Sequence, residues 1–137
     1  MRYAIIILAL LALAGCASSP ISPNDAAAVP PERIHSHGEQ TRERTAAVQV
    51  TRDSGMGSEP CHVHVAIDRE RVASLDTGET ARVWVKPGSH IVSAQNHEMM
   101  CGFGPFETQV MATEDSPVRV RVFWTLAGGF GISPTAY

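Results

Sequence analysis

The sequence predicts an all-β domain, a small antiparallel β-sandwich of six or seven strands. Three observations predict it. From Thr45 onward the apolar residues recur with period two in several short runs, the spacing of half-buried strands. Those runs are separated by Gly, Pro, Asp and Ser clusters that mark turns, as in Asp76-Thr-Gly78 and Pro87-Gly88. No stretch after the leader carries a sustained 3.6-residue apolar period. At 137 residues there is room for one such domain, and two packed antiparallel sheets are the arrangement that buries these faces.

The chain divides at residues 1–15, 16–44 and 45–137. Arg2 precedes an unbroken apolar run from Ala4 to Ala14, which is too short for a permanent membrane span and has the length of an export-signal core. The run ends in Leu13-Ala14-Gly15-Cys16, small residues before a cysteine. This resembles the bacterial lipoprotein signal. The resemblance implies cleavage after Gly15, acylation of Cys16 with lipid such as palmitate, and a membrane partner held through that lipid. In that pattern an Asp after the cysteine marks inner-membrane retention. Ala17 therefore implies the outer membrane, with the domain facing the periplasm.

Loss of Arg2 leaves 10 of the 11 Lys and Arg residues against 14 Asp and Glu, a net charge of −4. Lys86 is the sole lysine, and no basic cluster suited to nucleic acid or anionic headgroups remains. Attachment is expected through lipid, not charge.

Residues 16–44 read as the lipidated cysteine and a flexible tether. Pro20, Pro23, Pro30 and Pro31 favour an extended spacer, and little apolar periodicity repays the entropy of ordering it. Ala46, Val48 and Val50 then open the first strand. In Cys61 to Asp68, Cys61, Val63, Val65 and Ile67 fall on one face and His62, His64 and Ala66 on the other. Val72 to Leu75 follows a turn. Thr80 to Lys86 places Ala81, Val83 and Val85 inward and Arg82, Trp84 and Lys86 outward. Ser89 to Asn96 is assigned Val92 and Ala94 inward. Phe106 to Ala112 and Val118 to Leu126 complete the strands, the latter with Val118, Val120, Val122 and Trp124 inward and Arg119, Arg121 and Phe123 outward. The stretch from Cys61 to Cys101 is expected to run as a β-meander, and Gly128 to Pro134 as an irregular tail.

With Cys16 assigned to lipid, Cys61 and Cys101 remain in an oxidising compartment, where a disulfide is the expected state and a pair of metal-binding thiols the alternative. The bridge would close a loop of 41 residues, counted inclusively. It would stabilise the domain by about 3–4 kcal/mol in the chain-entropy description.

Pro60 through Val92 resembles the PEGA-type and carboxypeptidase-regulatory-like modules of bacterial envelope proteins. The matching residues are Val65-Ala-Ile-Asp68, Val72-Ala-Ser-Leu75 and Pro87-Gly88-Ser89-His90-Ile91-Val92, with Val118-Arg-Val-Arg-Val122 as the closing strand. Arg69 stands where the family often has Gly. The resemblance implies a transthyretin-like or immunoglobulin-like sandwich with a structural or binding role and no catalytic residues.

Three function classes follow. The leading one is a lipid-anchored periplasmic envelope protein with a structural or protein-interaction role. Its candidate partner surface is Arg82, Trp84, Arg121 and Phe123, since outward aromatics and arginines are residue types of binding hot spots. The second is a periplasmic Cu- or Zn-binding lipoprotein. His62 and His64 lie on one strand face roughly 7 Å apart, with His90 or His97 as a third ligand. A solvated strand face is the plainer reading of the same pair. His97-Glu-Met-Met-Cys101 adds soft ligands suited to Cu(I), or methionines filling gaps around a disulfide. The third is a hydrolase inhibitor. Gly-x-Ser-x-Gly, His-Glu-x-x-His and phosphate-loop motifs are missing, so the chain is expected to be neither an enzyme nor a cofactor carrier.

Overall fold

The computed structural model describes residues 18–55, 61–96, 103–125 and 129–136. They form nine strands: β1 Ala27–Ala28, β2 Ala46–Arg52, β3 Val63–Ile67, β4 Glu70–Leu75, β5 Glu79–Val85, β6 Gly88–Asn96, β7 Phe103–Ala112, β8 Val118–Thr125 and β9 Gly129–Pro134. A 3-10 turn covers Pro31–Arg33. The first sheet runs β1-β5-β2-β8-β9 and the second β4-β3-β6-β7, which makes an all-β sandwich. Most pairs are antiparallel, while β1–β5 and β2–β8 are parallel.

Alternation builds the core as the sequence predicts. Val48 and Val50 of β2, Val83 and Val85 of β5, and Val120 and Val122 of β8 face Val63, Val65 and Ile67 of β3 and Val92 and Ala94 of β6, all buried. The filling is valine-rich and its fully buried positions hold no aromatic side chain among the described residues. Valine suits this place because its branched Cβ loses little freedom on a pleated surface and packs tightly between sheets.

The expected meander is corrected. β3 and β4 form a hairpin, but Asp76-Thr77-Gly78 then carries the chain into the first sheet, where β5 lies beside β2. Pro87-Gly88 returns it to the second sheet, where β6 pairs with β3. Gly78 makes the first crossing at φ +75, its N–H reaching the carbonyls of Arg52 and Asp53, and Gly88 makes the second at φ +138. The β3–β4 hairpin that precedes both crossings turns on Asp68 and Arg69, both at positive φ (49 and 74), the signature of a two-residue loop matched to strand twist.

The tether is corrected as well. From Ser18 onward the N-terminal segment is packed on the sandwich. Ala27 and Ala28 pair with Glu79 and Thr80 of β5, Ile34 bridges Ala73 of β4, and the His37 carbonyl accepts the Trp84 N–H at 2.8 Å. The segment thus fills the open side between the two sheets, with Val29 buried in the core and Ile34 packed against it. It shows no period because it belongs to no one sheet for long. The tail is also a strand: β9 pairs with β8 from Thr125↔Gly129 to Val120↔Pro134.

Candidate functional site

The two histidines expected as metal ligands have separate partners. His62 Nδ1 lies 2.5 Å from Asp76 Oδ1. His64 Nδ1 lies 2.9 Å from Ser74 Oγ, and the same hydroxyl is 2.8 Å from Nε2 of His35, so Ser74 bridges two imidazoles. Beside it, Arg33 donates to both carboxylate oxygens of Glu79 at 2.8 and 2.6 Å and lies 3.2 Å from Asp76. Ser74 is 5% exposed with its hydroxyl directions used, which places it as a fastener between β4 and the N-terminal segment. His90 does not reach this face. Its strand pairs His64 with Gln95, and residue 90 lies roughly 16 Å further along. Among the described residues no three His, Cys, Asp or Glu side chains gather as a metal site. His97, Cys101 and the methionines between them lie outside the described residues.

His90 serves a different contact. Its Nδ1 is 2.6 Å from Asp68 Oδ2 and its Nε2 is 2.7 Å from the Lys86 carbonyl oxygen. Both partners are acceptors, so a ring that fills both bonds donates from both nitrogens. Asp68 Oδ1 also accepts the Ile91 backbone N–H at 2.9 Å. Partial burial pushes the Asp68 carboxyl up, but the Ile91 N–H and then the His90 ring outweigh it and hold the group below the ordinary aspartate value.

The surface expected from Arg82, Trp84, Arg121 and Phe123 divides in two. Arg121 grips Asp53 with Nε at 2.8 and 2.9 Å and with its terminal nitrogen, and its guanidinium lies 5.1 Å over the Phe123 ring. Phe123 in turn lies across Gly131, where a Cβ would stand 2.7 Å from the ring. These two are partly exposed, but their contacts are made within the sandwich. Arg82 and Trp84 stay on the outer face, on β5. Strand register adds two residues that local reading did not single out: Gln49 is the partner of Arg82 on one side and of Arg119 on the other. The outer face of the first sheet therefore carries a row Arg82–Gln49–Arg119, with Trp84 and Ala47 in the next row. Among the described residues neither Arg82 nor Arg119 is ion-paired. The pairing of β2 with β8, remote in sequence and parallel, is what assembles the row, and no local motif announces it.

Cys61 is 4% exposed and disulfide-bonded, while Cys16 and Cys101 lie outside the described residues. The Cys61 carbonyl accepts Arg52 Nη1 at 2.7 Å, and the same nitrogen donates to the Leu75 carbonyl at 2.9 Å. Arg52 is 2% exposed, with its guanidinium 5.9 Å from the centre of the Phe130 ring. It closes one end of the core between the sheets. Among the described residues no helix is long and apolar enough to cross a membrane.

Comparison of the chain with protein-family models, with curated proteins and with solved structures found no match.

Proposed function

We propose that this chain is a lipid-anchored envelope protein, acylated at Cys16 and held at the outer membrane facing the periplasm, whose sandwich is an interaction module. The leader from Arg2 to Gly15 supports the anchor, and the likeness of Val65–Asp68 and Pro87–Val92 to PEGA-type modules supports the binding role. Cys61 pairs with Cys101 in this reading, since Cys16 is taken by lipid. The observation that carries the interaction role is the Arg82–Gln49–Arg119 row. Two guanidiniums flank an amide, their strands roughly 10 Å apart, on a face where the neighbouring acid, Asp53, is consumed by Arg121. Such a face fits an acidic protein surface, with Trp84 as the aromatic anchor beside it.

Photo-crosslinking in intact cells tests this. A crosslinker at Gln49 is expected to capture a discrete partner, and Arg82→Glu with Arg119→Glu is expected to abolish the adduct. Capture that survives the charge reversal would sink the assignment of this face. The anchor is tested separately: incorporation of a fatty-acid analogue is expected in the natural chain and lost in Cys16→Ser.

A further inference from the structure

The packed N-terminal segment constrains how an anchored molecule sits on its membrane. Ser18 is clamped at one end of the sandwich. Its Oγ accepts the Trp124 N–H at 2.9 Å and lies 3.1 Å from Asp53 Oδ2 and 3.0 Å from the Trp124 carbonyl. Ser19 and Ser54 exchange both backbone hydrogen bonds, at 2.7 and 3.0 Å. Asp53 is 1% exposed and held by Arg121, so the clamp is built on a fixed part of the fold. One residue, Ala17, separates this clamp from Cys16. Two peptide units extend at most roughly 7 Å. The headgroup layer on each side of a bilayer is of similar depth, about 5–8 Å.

The clamped end is also the aromatic end. Trp124 near the end of β8 meets Phe130 of β9 edge-on, with ring centroids 5.0 Å apart, and Phe123 is its neighbour on the outer face. All three are partly exposed. Amphipathic aromatic rings, tryptophan above all, favour the boundary between headgroups and water.

We propose that the strand end carrying Phe123, Trp124 and Phe130 rests directly on the bilayer surface, held there by the Ser18–Ser19 clamp, which stands two residues from Cys16 in the sequence. This rests on acylation of Cys16 and goes beyond it, because acylation alone sets no orientation. The strands then rise from the membrane. The Arg82–Gln49–Arg119 row stands roughly 13 Å above the level of Asp53, and Trp84 roughly 20 Å above it.

The two tryptophans of the chain, Trp84 and Trp124, supply the probes. Full-length acylated protein is reconstituted in phosphatidylcholine vesicles containing a lipid with a quencher at headgroup depth. Trp84→Phe leaves Trp124 as the emitter, and Trp124→Phe leaves Trp84. The expected result is quenching several-fold stronger for Trp124 than for Trp84. A flexible Gly-Ser insertion after Ala17, in the otherwise natural chain, is expected to lower the total quenching, which keeps the test valid if Trp124→Phe fails to fold. Equal quenching of both tryptophans, or no effect of the insertion, in protein that floats with the vesicles would overturn the orientation and leave the anchor standing. Protein that lacks lipid by mass spectrometry and does not float would overturn the anchor itself.

Discussion

His90 and Asp68 clasp the β3–β4 hairpin to the start of β6. The ring nitrogen lies 2.6 Å from one carboxylate oxygen while the other oxygen holds the Ile91 N–H. The two residues sit just beyond the last paired positions of β3 and β6, Ile67↔Val92, and extend that pairing through side chains. A carboxyl held below its ordinary value stabilises the fold above the unfolded pKa, and that contribution is lost as pH falls through the lower folded value. Urea unfolding followed from about pH 5 down to pH 2 is therefore expected to show the natural protein losing stability, with a shallower loss in Asp68→Asn. Because the Asp68 side chain is 53% exposed, the difference is expected to stay below about 1 kcal/mol. An identical acid slope in the variant would show that the clasp is not linked to folding.

Asp53 is the opposite case, a carboxylate 1% exposed and gripped at both oxygens by Arg121. Asp53→Ala is expected to cost about 3 kcal/mol in chemical denaturation, because it strands a half-buried guanidinium and releases the Ser18 hydroxyl. A double-mutant cycle with Arg121→Ala should recover a large coupling energy. Arg121→Lys should not restore it, since an ammonium cannot make the forked contact.

Gly131→Ala is expected to destabilise by about 1–3 kcal/mol, since the new methyl would meet the Phe123 ring at 2.7 Å. The cost should shrink when Phe123 is replaced by Leu in the same chain. Full additivity of the two changes would place the strain elsewhere.

Removing residues 18–44 is expected to prevent monomeric folding, as judged by circular dichroism and gel filtration. The deletion uncovers the core contacts of Val29 and Ile34 and strips β5 and β4 of their hydrogen-bonded neighbour. Arg33→Ala, which loses the fork to Glu79 and the contacts with Asp76 and the Ser74 carbonyl, should cost about 1–2 kcal/mol and leave the fold intact.

The strand count in the body of the domain and the inward faces of β2, β3, β5, β6 and β8 were legible because alternation is local and Val and Ala mark it plainly. The placement of β5 in the opposite sheet was not. Asp76-Thr-Gly78 and Pro87-Gly88 read as turns of any kind, and whether a turn returns a strand to its neighbour or sends it across the core depends on long-range pairing. The packing of the N-terminal segment is illegible for a related reason: its apolar contacts are single residues, Val29 and Ile34, spaced by prolines. Among the surface residues, Arg82 and Trp84 were found by parity alone. Arg121 and Phe123 share that parity but are occupied by Asp53 and Gly131, which only the β2–β8 and β8–β9 pairings reveal.

Thiol titration of the mature chain, denatured without reductant, is expected to find no reactive cysteine, and reduction should expose two. Replacing Cys101 with Ser should cost about 3–4 kcal/mol. Two thiols titrating before reduction would disprove the pairing of Cys61 with Cys101.

The N-terminal segment has one more consequence, for behaviour in a crowd. In the anchored arrangement proposed above, copies would share a thin layer and collide far more often than the same number in solution. Any bare sheet margin then becomes a template for another chain to add its own strand. By lying along β5 and β4, residues 27–37 cover one margin of each sheet and leave β7 and β9 at the other side. The same stretch narrows the ways in which neighbouring copies could polymerise.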